Sequence, residues 1–371
     1  MENEPLMETT TSASKDDRAG AKPGRSKKLA RLGILFALLG LLLFAYFVRR
    51  AGVSQIVDNI KRLGLGFVLI LAISAIRQTA RSLAWTRCFE APYRLRFRDA
   101  FLARIMGDAL GNIVPLASVA VSEPSKAAFV THRVPLMAGL AALALENIFY
   151  SLSVAIFIFS GTVALLLAFP LKPALRYASF GTLAVTVLIV PLGFLVIRKQ
   201  LKFLSGGMSL LSRRNIARSL MEKSLPRART LEERIYGFYQ RSGSRLLLIV
   251  ALEMCFHLAG ALEIYTTLWF ISDIVAPTLL TAFILESVNR VINIAFKFIP
   301  FRLGVDEVGT GMLAKALGFT TAIGASLAIV RKSRDLFWTA IGVLLMVRRG
   351  LSLKSLDRVR ESEAALAEAG Q

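Results

Sequence analysis

Cysteine and histidine are almost missing from this chain. Its 371 residues include two of each, Cys88 and Cys255, His132 and His257. Two cysteines give no disulfide framework and no paired spacing of the kind that holds zinc. Two histidines so far apart in sequence do not build a metal centre, and no metal or cofactor is expected. The sequence also shows no Ser/His/Asp, metal or nucleotide-cradling constellation, so chemistry of those kinds is not expected. Acid is the next scarcity: 25 Asp and Glu stand against 46 Lys and Arg, for a formal charge of +21. The basic residues gather in loops and tails, without a compact basic domain or an aromatic-interleaved patch. The excess therefore points to anionic lipid headgroups and away from nucleic acid.

What the chain has in place of these is apolar length. It is 55% hydrophobic with mean hydropathy +0.58, and separate apolar runs fall at 32–48, 65–86, 136–169, 174–197, 246–271, 275–297 and 322–347. A soluble domain has no need of several runs long enough to span a bilayer. The expected fold is an all-α polytopic membrane protein of about eight transmembrane helices. Residues 1–31 read as a disordered cytoplasmic tail, 32–348 as the membrane domain, and 349–371 as a second cytoplasmic tail. The run at 32–48 is too long and too far from the start for a signal sequence and is expected to be a retained first span. Segment 198–245 carries twelve Lys and Arg against three Glu. Its interleaved apolar and basic residues fit either surface-lying helices between the two halves or a solvated loop. Arg87, Arg94, Arg96 and Arg98 suit a cytoplasmic loop, whereas Arg49, Arg50, Lys61 and Arg62 run against that topology.

Two stretches do not fit simple spans. In 282–309, an apolar run carries Glu286, Asn289, Arg290 and Lys297, breaks at Pro300, and continues with Arg302, Gly304, Asp306 and Glu307. In 99–130, Arg104 and Asp108 accompany Gly107-x-x-x-Gly111, Pro115 breaks the run, and Glu123 and Lys126 follow. A broken, charged segment cannot face lipid, because its freed backbone groups and ions need partners or water. Both are expected to be broken or re-entrant helices around a polar cavity. Glu286 and Arg290 are four apart and can neutralise each other on one helical face, as can Arg104 and Asp108. Gly107 and Gly111 offer a surface for close helix packing. The stretches echo each other: Ala100-Phe101-Leu102 leads to Pro115 and Glu123, and Ala282-Phe283-Ile284 leads to Pro300 and Glu307. Interrupted apolar segments in corresponding places of two halves point to a possible internal repeat with a site at its interface.

These residues carry a resemblance. The chain resembles the lysylphosphatidylglycerol synthase transmembrane-region family, also called flippase-like domain proteins, over about residues 30–348. Ser122-Glu123-Pro124-Ser125-Lys126 is similar to a family Gly-Glu-x-x-Arg/Lys motif, and Glu146-Asn147 stands in the place of a Glu-Arg pair. Pro300 to Glu307 is similar to Pro-Gly-Gly-Leu-Gly-x-x-Glu, and Arg331 or Arg334 matches an arginine of the final span. Ser122, Asn147 and the pair Phe301-Arg302 depart from the pattern. The resemblance implies a protein that binds or translocates a lipid. Family members that aminoacylate lipids carry a further soluble domain, and this sequence, which ends soon after its last apolar run, is expected to lack that catalysis.

The expected function is a flippase-like lipid transporter of a bacterial cytoplasmic membrane, and not an enzyme. Its substrate-binding candidates are Arg77, Arg81, Glu123, Lys126, Glu146, Glu286, Arg290, Arg302, Glu307 and Arg334. The guanidinium fork suits a phosphate. The carboxylates can hold those arginines, take an amine headgroup or exchange a proton, with Glu123 and Glu307 expected as a pseudo-symmetric pair at the heart of the site. Arg77 and Arg81 have a plainer reading as snorkelling side chains, Glu253 and Glu263 as residues near a bilayer boundary, and His257 as a packing residue. A non-catalytic partner of an envelope enzyme and a membrane-embedded lipid transferase remain alternatives.

Overall fold

The computed structural model describes residues 58, 61–113, 118–199, 243–272, 275–296 and 304–348, with scattered positions between 205 and 238. The first apolar run, both tails, Pro115, Lys297, Pro300 and Arg302 lie outside the described residues. So does most of the basic segment.

The described chain is helical, in the order α1 (Leu65–Arg87), α2 (Phe97–Ile113), α3 (Ser118–Phe129), α4 (Leu136–Ala168), α5 (Pro173–Arg198), α6 (Gly243–Ile271), α7 (Leu279–Ala295), α8 (Val305–Ala316) and α9 (Thr321–Arg348). Among the described residues, four helical stretches are long and apolar enough to cross a membrane: Leu65–Arg87, Leu136–Ala168, Pro173–Gly193 and Arg245–Ile271. The last helix reaches 28 residues, but Arg331, Lys332, Arg334 and Asp335 interrupt its apolar character. The run expected at 275–297 is a helix of only 17 residues. Thr278 ends its extended lead-in, and the Thr278 hydroxyl accepts the Thr281 N–H at 3.1 Å, which satisfies one of the free amides of the first turn. The run at 136–169 is one helix of 33 residues.

Each unusual stretch contributes two described helices. A helix of 17 residues is followed by one of 12 in each case, α2 with α3 and α7 with α8. Each pair lies between long helices, α1 and α4 in the first half, α6 and α9 in the second. The halves interlock: α1 packs along α6, α9 packs on α2, and α4 packs on α7. Gly304, which precedes α8, has a φ of +86°, a conformation that favours glycine. Its N–H donates to Glu307 Oε2 at 2.8 Å, and Asp306 and Glu307 place negative charge at the positive end of α8.

Close approach decides how α2 sits. On one side, a Cβ at Gly107 would stand 2.4 Å from Lys126 Cγ of α3. On the other, a Cβ at Gly342 of α9 would stand 2.5 Å from Ala109 Cβ and 2.6 Å from the Ile105 carbonyl oxygen. Backbone cannot yield as a flexible side chain can. Gly342→Val is therefore expected to cost about 1–3 kcal/mol by overpacking, read as a lower melting temperature of the purified protein in detergent.

Apolar side chains cover the outside as well as the inside. Leu167, Leu188 and Leu247 are each more than 70% exposed, a surface that a water-soluble protein does not present in bulk. The interior holds the reverse pattern. Arg77, Arg104, Lys126, Glu146, Glu253, Glu263, Glu286, Arg290, Asp306, Arg331 and Lys332 are all buried. The protein is a multi-pass, membrane-embedded helical assembly with a charged centre.

Candidate functional site

The charges are distributed over ion-paired groups contributed by different helices. In the first, α1 presents Arg81 to Glu146 of α4 at 2.7 Å and to Glu253 of α6 at 3.8 Å. Arg104 of α2 donates to the same Glu146 at 3.0 Å and to the Arg81 carbonyl oxygen at 3.2 Å. Beside them, Lys126 of α3 is shared between Asp108 at 2.7 Å and Glu123 at 2.8 Å. Asn147 joins the two sets, accepting from Arg81 at 3.3 Å and donating to Glu123 at 2.9 Å.

The second group surrounds Glu263 of α6. One carboxylate oxygen accepts from Arg77 of α1 at 2.8 Å, and the other from Arg334 of α9. Arg334 also meets Asp335 at 2.7 Å. Glu286 of α7 pairs with Arg290 one turn away and with Arg77 at 3.5 Å. The third group joins α8 to α9: Arg331 donates to Asp306 at 2.8 Å and Thr310 at 2.7 Å, and Lys332 pairs with Glu307. Burying so many ions is tolerable because each finds an opposite charge.

Aromatic rings complete the arrangement. The Phe256 ring has Arg77 at 4.6 Å and Arg290 at 5.0 Å, and Arg81 lies 3.9 Å from the Tyr150 ring centre. Guanidinium groups prefer the negative ring face, so these rings help keep three like charges close together. His257 is stacked against Phe157 at 4.8 Å and Tyr150 at 5.9 Å, with Nε2 3.0 Å from Ser153 Oγ. It packs, as the sequence suggested.

Members of these groups line an open cavity of about 960 Å³. Its polar wall bears the cations Arg77, Arg81, Lys126, Arg290, Arg331 and Arg334 and the carboxylates Asp108, Glu123, Glu286 and Asp335. Glu146, Glu253 and Glu263 do not line it. They stand behind the arginines and hold them from the rear. Uncharged polar side chains such as Gln78, Asn112, Asn289 and Asn293 share the lining with an apolar flank of Val154 and Ile158 of α4, Val185 and Ile189 of α5, and Ile294 of α7. Among the described helices, α5 packs chiefly on α4.

Of the sequence-predicted site residues, seven share this wall: Arg77, Arg81, Glu123, Lys126, Glu286, Arg290 and Arg334. Glu146 lies behind it, at 0% exposure. Glu307 is elsewhere: it caps α8 and pairs with Lys332, so it does not face Glu123 across a common site. The intrahelical pair expected between Arg104 and Asp108 is also absent. Arg104 turns to Glu146 and Asp108 to Lys126, because buried opposite charges on neighbouring helices compete for them. Glu253 and Glu263, expected near a bilayer boundary, are 0% and 2% exposed and sit among the arginines. Arg77 and Arg81 do not snorkel, since both turn inward to those carboxylates. Sequence reasoning missed the roles of Glu263, Arg104 and Asp306. The usable signal was that an apolar run such as α6 retained two glutamates despite the cost of an unpaired charge there.

No curated protein and no solved structure matches the chain. The family model described as the lysylphosphatidylglycerol synthase TM region matches residues 30–342. That match takes in all of α1 to α8 and most of α9, and with them both helix pairs of the unusual stretches and every wall of the cavity, so the chain belongs to the lysylphosphatidylglycerol synthase TM region family.

Proposed function

We propose that this protein is a flippase-like transporter that takes a phosphate-bearing lipid headgroup into the charged cavity and passes it across the bilayer without altering it. The observation that carries the proposal is the make-up of that wall: six cationic side chains and four carboxylates line the cavity, while four further carboxylates, Glu146, Glu253, Glu263 and Asp306, pair with its arginines from behind. The wall is formally cationic, yet each arginine is fixed by a buried acid. An anion can then bind to preset donors without their reorganising.

Crossing a bilayer unaided is slow because a charged group must leave water; even lenient scales put the cost of an ion at mid-membrane at about 2.5–3.5 kcal/mol. A polar cavity removes much of that cost for the headgroup. The apolar flank on α4, α5 and α7 suits the acyl chains, and α5, which packs chiefly on α4 among the described helices, is the wall best placed to admit them from the side. Anionic lipid is the proposed partner, and a bacterial cytoplasmic membrane the proposed location, with both termini on the cytoplasmic side.

The test is reconstitution of the purified protein in vesicles carrying leaflet-reporting lipids. Wild type is expected to move a phosphodiester lipid, and Lys126→Met is expected to slow that movement by about tenfold, the loss of one charge-assisted contact. An unchanged lipid in the opposite leaflet supports transport. A chemically altered lipid would replace this reading with a transferase. No movement by folded, inserted protein would favour a partner of an envelope enzyme.

A further inference from the structure

The two carboxyl groups behind Arg81 are treated unequally. Glu146 Oε1 takes every donor on offer: Arg81 Nε at 2.8 Å, Arg81 Nη2 at 2.7 Å and Arg104 Nη2 at 3.0 Å. Glu146 Oε2 is buried and has no hydrogen bond among the described residues. Glu253 of α6 is more isolated still. It is 0% exposed, and neither of its oxygens has a hydrogen-bond partner among the described residues. Its ion-pair contact is Arg81 Nε at 3.8 Å, a nitrogen whose single hydrogen already goes to Glu146. Yet the Glu253 carboxyl lies within hydrogen-bonding reach of Glu146. Two groups that can only accept while ionised are thus brought together without a donor to join them.

The surrounding charges define what is needed there. Around Glu253, α1 supplies Arg81 and, just past its end, Cys88; α2 supplies Arg104; α4 supplies Glu146, with the Tyr150 ring against Arg81. The charges of α7 and α9 meet α6 further along, with Arg290 over the Phe256 ring, Glu286 beside Gly260 and Arg334 on Glu263. Within the first group, Arg81, Arg104 and Lys126 are matched by Asp108, Glu123 and Glu146. Glu253 is the fourth acid, with no cation left for it. Ionised, it would leave one net negative charge and two bare carboxyl oxygens in the interior, which is costly. One proton removes both costs. It neutralises Glu253 and supplies the donor that the pair lacks.

We infer that Glu146 and Glu253 form a proton-binding site that shares a single proton, and that Arg81 links this site to the anion in the cavity; the linkage rests on the transport reading above. Arg81 lines the cavity and meets both carboxyls behind it. With the proton on the pair, one negative charge stands behind Arg81, and its field reaches an anion in the cavity. Without the proton two negative charges stand there, and the anion is held less tightly. The converse follows by linkage: an anion on Arg81 favours the proton. Anion and proton are bound and released together, so a proton gradient can drive movement of an anionic headgroup.

The test has two readings, both on the full chain in phosphatidylcholine nanodiscs. The first needs no ligand. Infrared spectra at neutral pH are expected to show the carbonyl stretch of a protonated carboxylic acid, shifted in heavy water and absent from Glu253→Gln and Glu253→Met alike. No such band in wild type, or an undiminished band in both variants, overturns the proton site. The second reading uses phosphatidylglycerol as the anion, because its phosphodiester keeps one charge from mildly acidic to alkaline pH. Wild type is expected to bind it about tenfold more weakly as pH rises and the pair loses its proton. Glu253→Gln, which keeps a donor and no charge at every pH, is expected to show no such fall, a result that a merely structural role would not give. Binding by wild type that ignores pH, or the same pH dependence in the variant, overturns the linkage and leaves the proton site to the infrared result. No binding at any pH overturns the transport reading and the linkage with it, while the infrared band still decides the shared proton.

Discussion

Replacing Glu263 by alanine is expected to lower the stability of the folded protein by about 3–5 kcal/mol, the usual effect of removing one partner from a buried ion pair. This carboxylate is 2% exposed and uses each of its oxygens for a different arginine, Arg77 from α1 and Arg334 from α9. It thus joins three helices through one side chain. Without it, Arg77 has only Glu286 at 3.5 Å, which Arg290 already engages, and Arg334 has only Asp335. One net positive charge remains in the protein interior. Chemical unfolding in detergent reads the loss. Adding Arg77→Met to a Glu263→Met background is expected to recover much of it, because a neutral pair leaves no ion stranded. A Glu263→Ala protein as stable as wild type would mean that water or lipid headgroups screen this cluster.

Arg81→Lys is expected to leave the protein folded but to reduce lipid movement by about ten- to a hundredfold. The charge is kept and the planar fork is lost. In the native protein Arg81 meets Glu146 at 2.7 Å, Asn147 at 3.3 Å and the face of Tyr150 at 3.9 Å, and still lines the cavity. An ammonium group can satisfy the carboxylate but cannot also stack on the ring and present a second donor to a phosphate. The measurement pairs a melting temperature with a transport rate in the same vesicles. Equal rates for wild type and the Arg81→Lys variant would show that only charge matters at this position, and the site would then be an electrostatic funnel without geometric selection.

Both results depend on partners that no sequence spacing indicates. The pair Glu286 and Arg290 was legible because it lies within one helical turn. Arg104 and Asp108 have the same spacing, yet Glu146 of α4 and Lys126 of α3 pair with them instead. Local geometry proposes such a pair, and competition from neighbouring helices decides it. Glu307 shows the same limit. Its motif echoes that of Glu123, but it sits at the start of α8 and turns to its own helix end and to Lys332, leaving the cavity wall to Arg331 and Arg334 of α9.

By itself, the sequence determined the solvent this chain folds in, the helical class, the two interrupted stretches and four of the five arginines on the cavity wall. Apolar length, proline and intramembrane charge have consequences within a few residues of where they occur, because backbone hydrogen bonds must close locally in lipid. Only the tertiary structure decided which carboxylate holds which arginine, that Glu253 and Glu263 are buried among those arginines, and that Asn289 and Asn293 belong to the cavity wall. Those facts depend on contacts between residues tens to hundreds of positions apart, such as Arg77 with Glu263 and Arg81 with Glu146, and no periodicity along the chain encodes a distance across it.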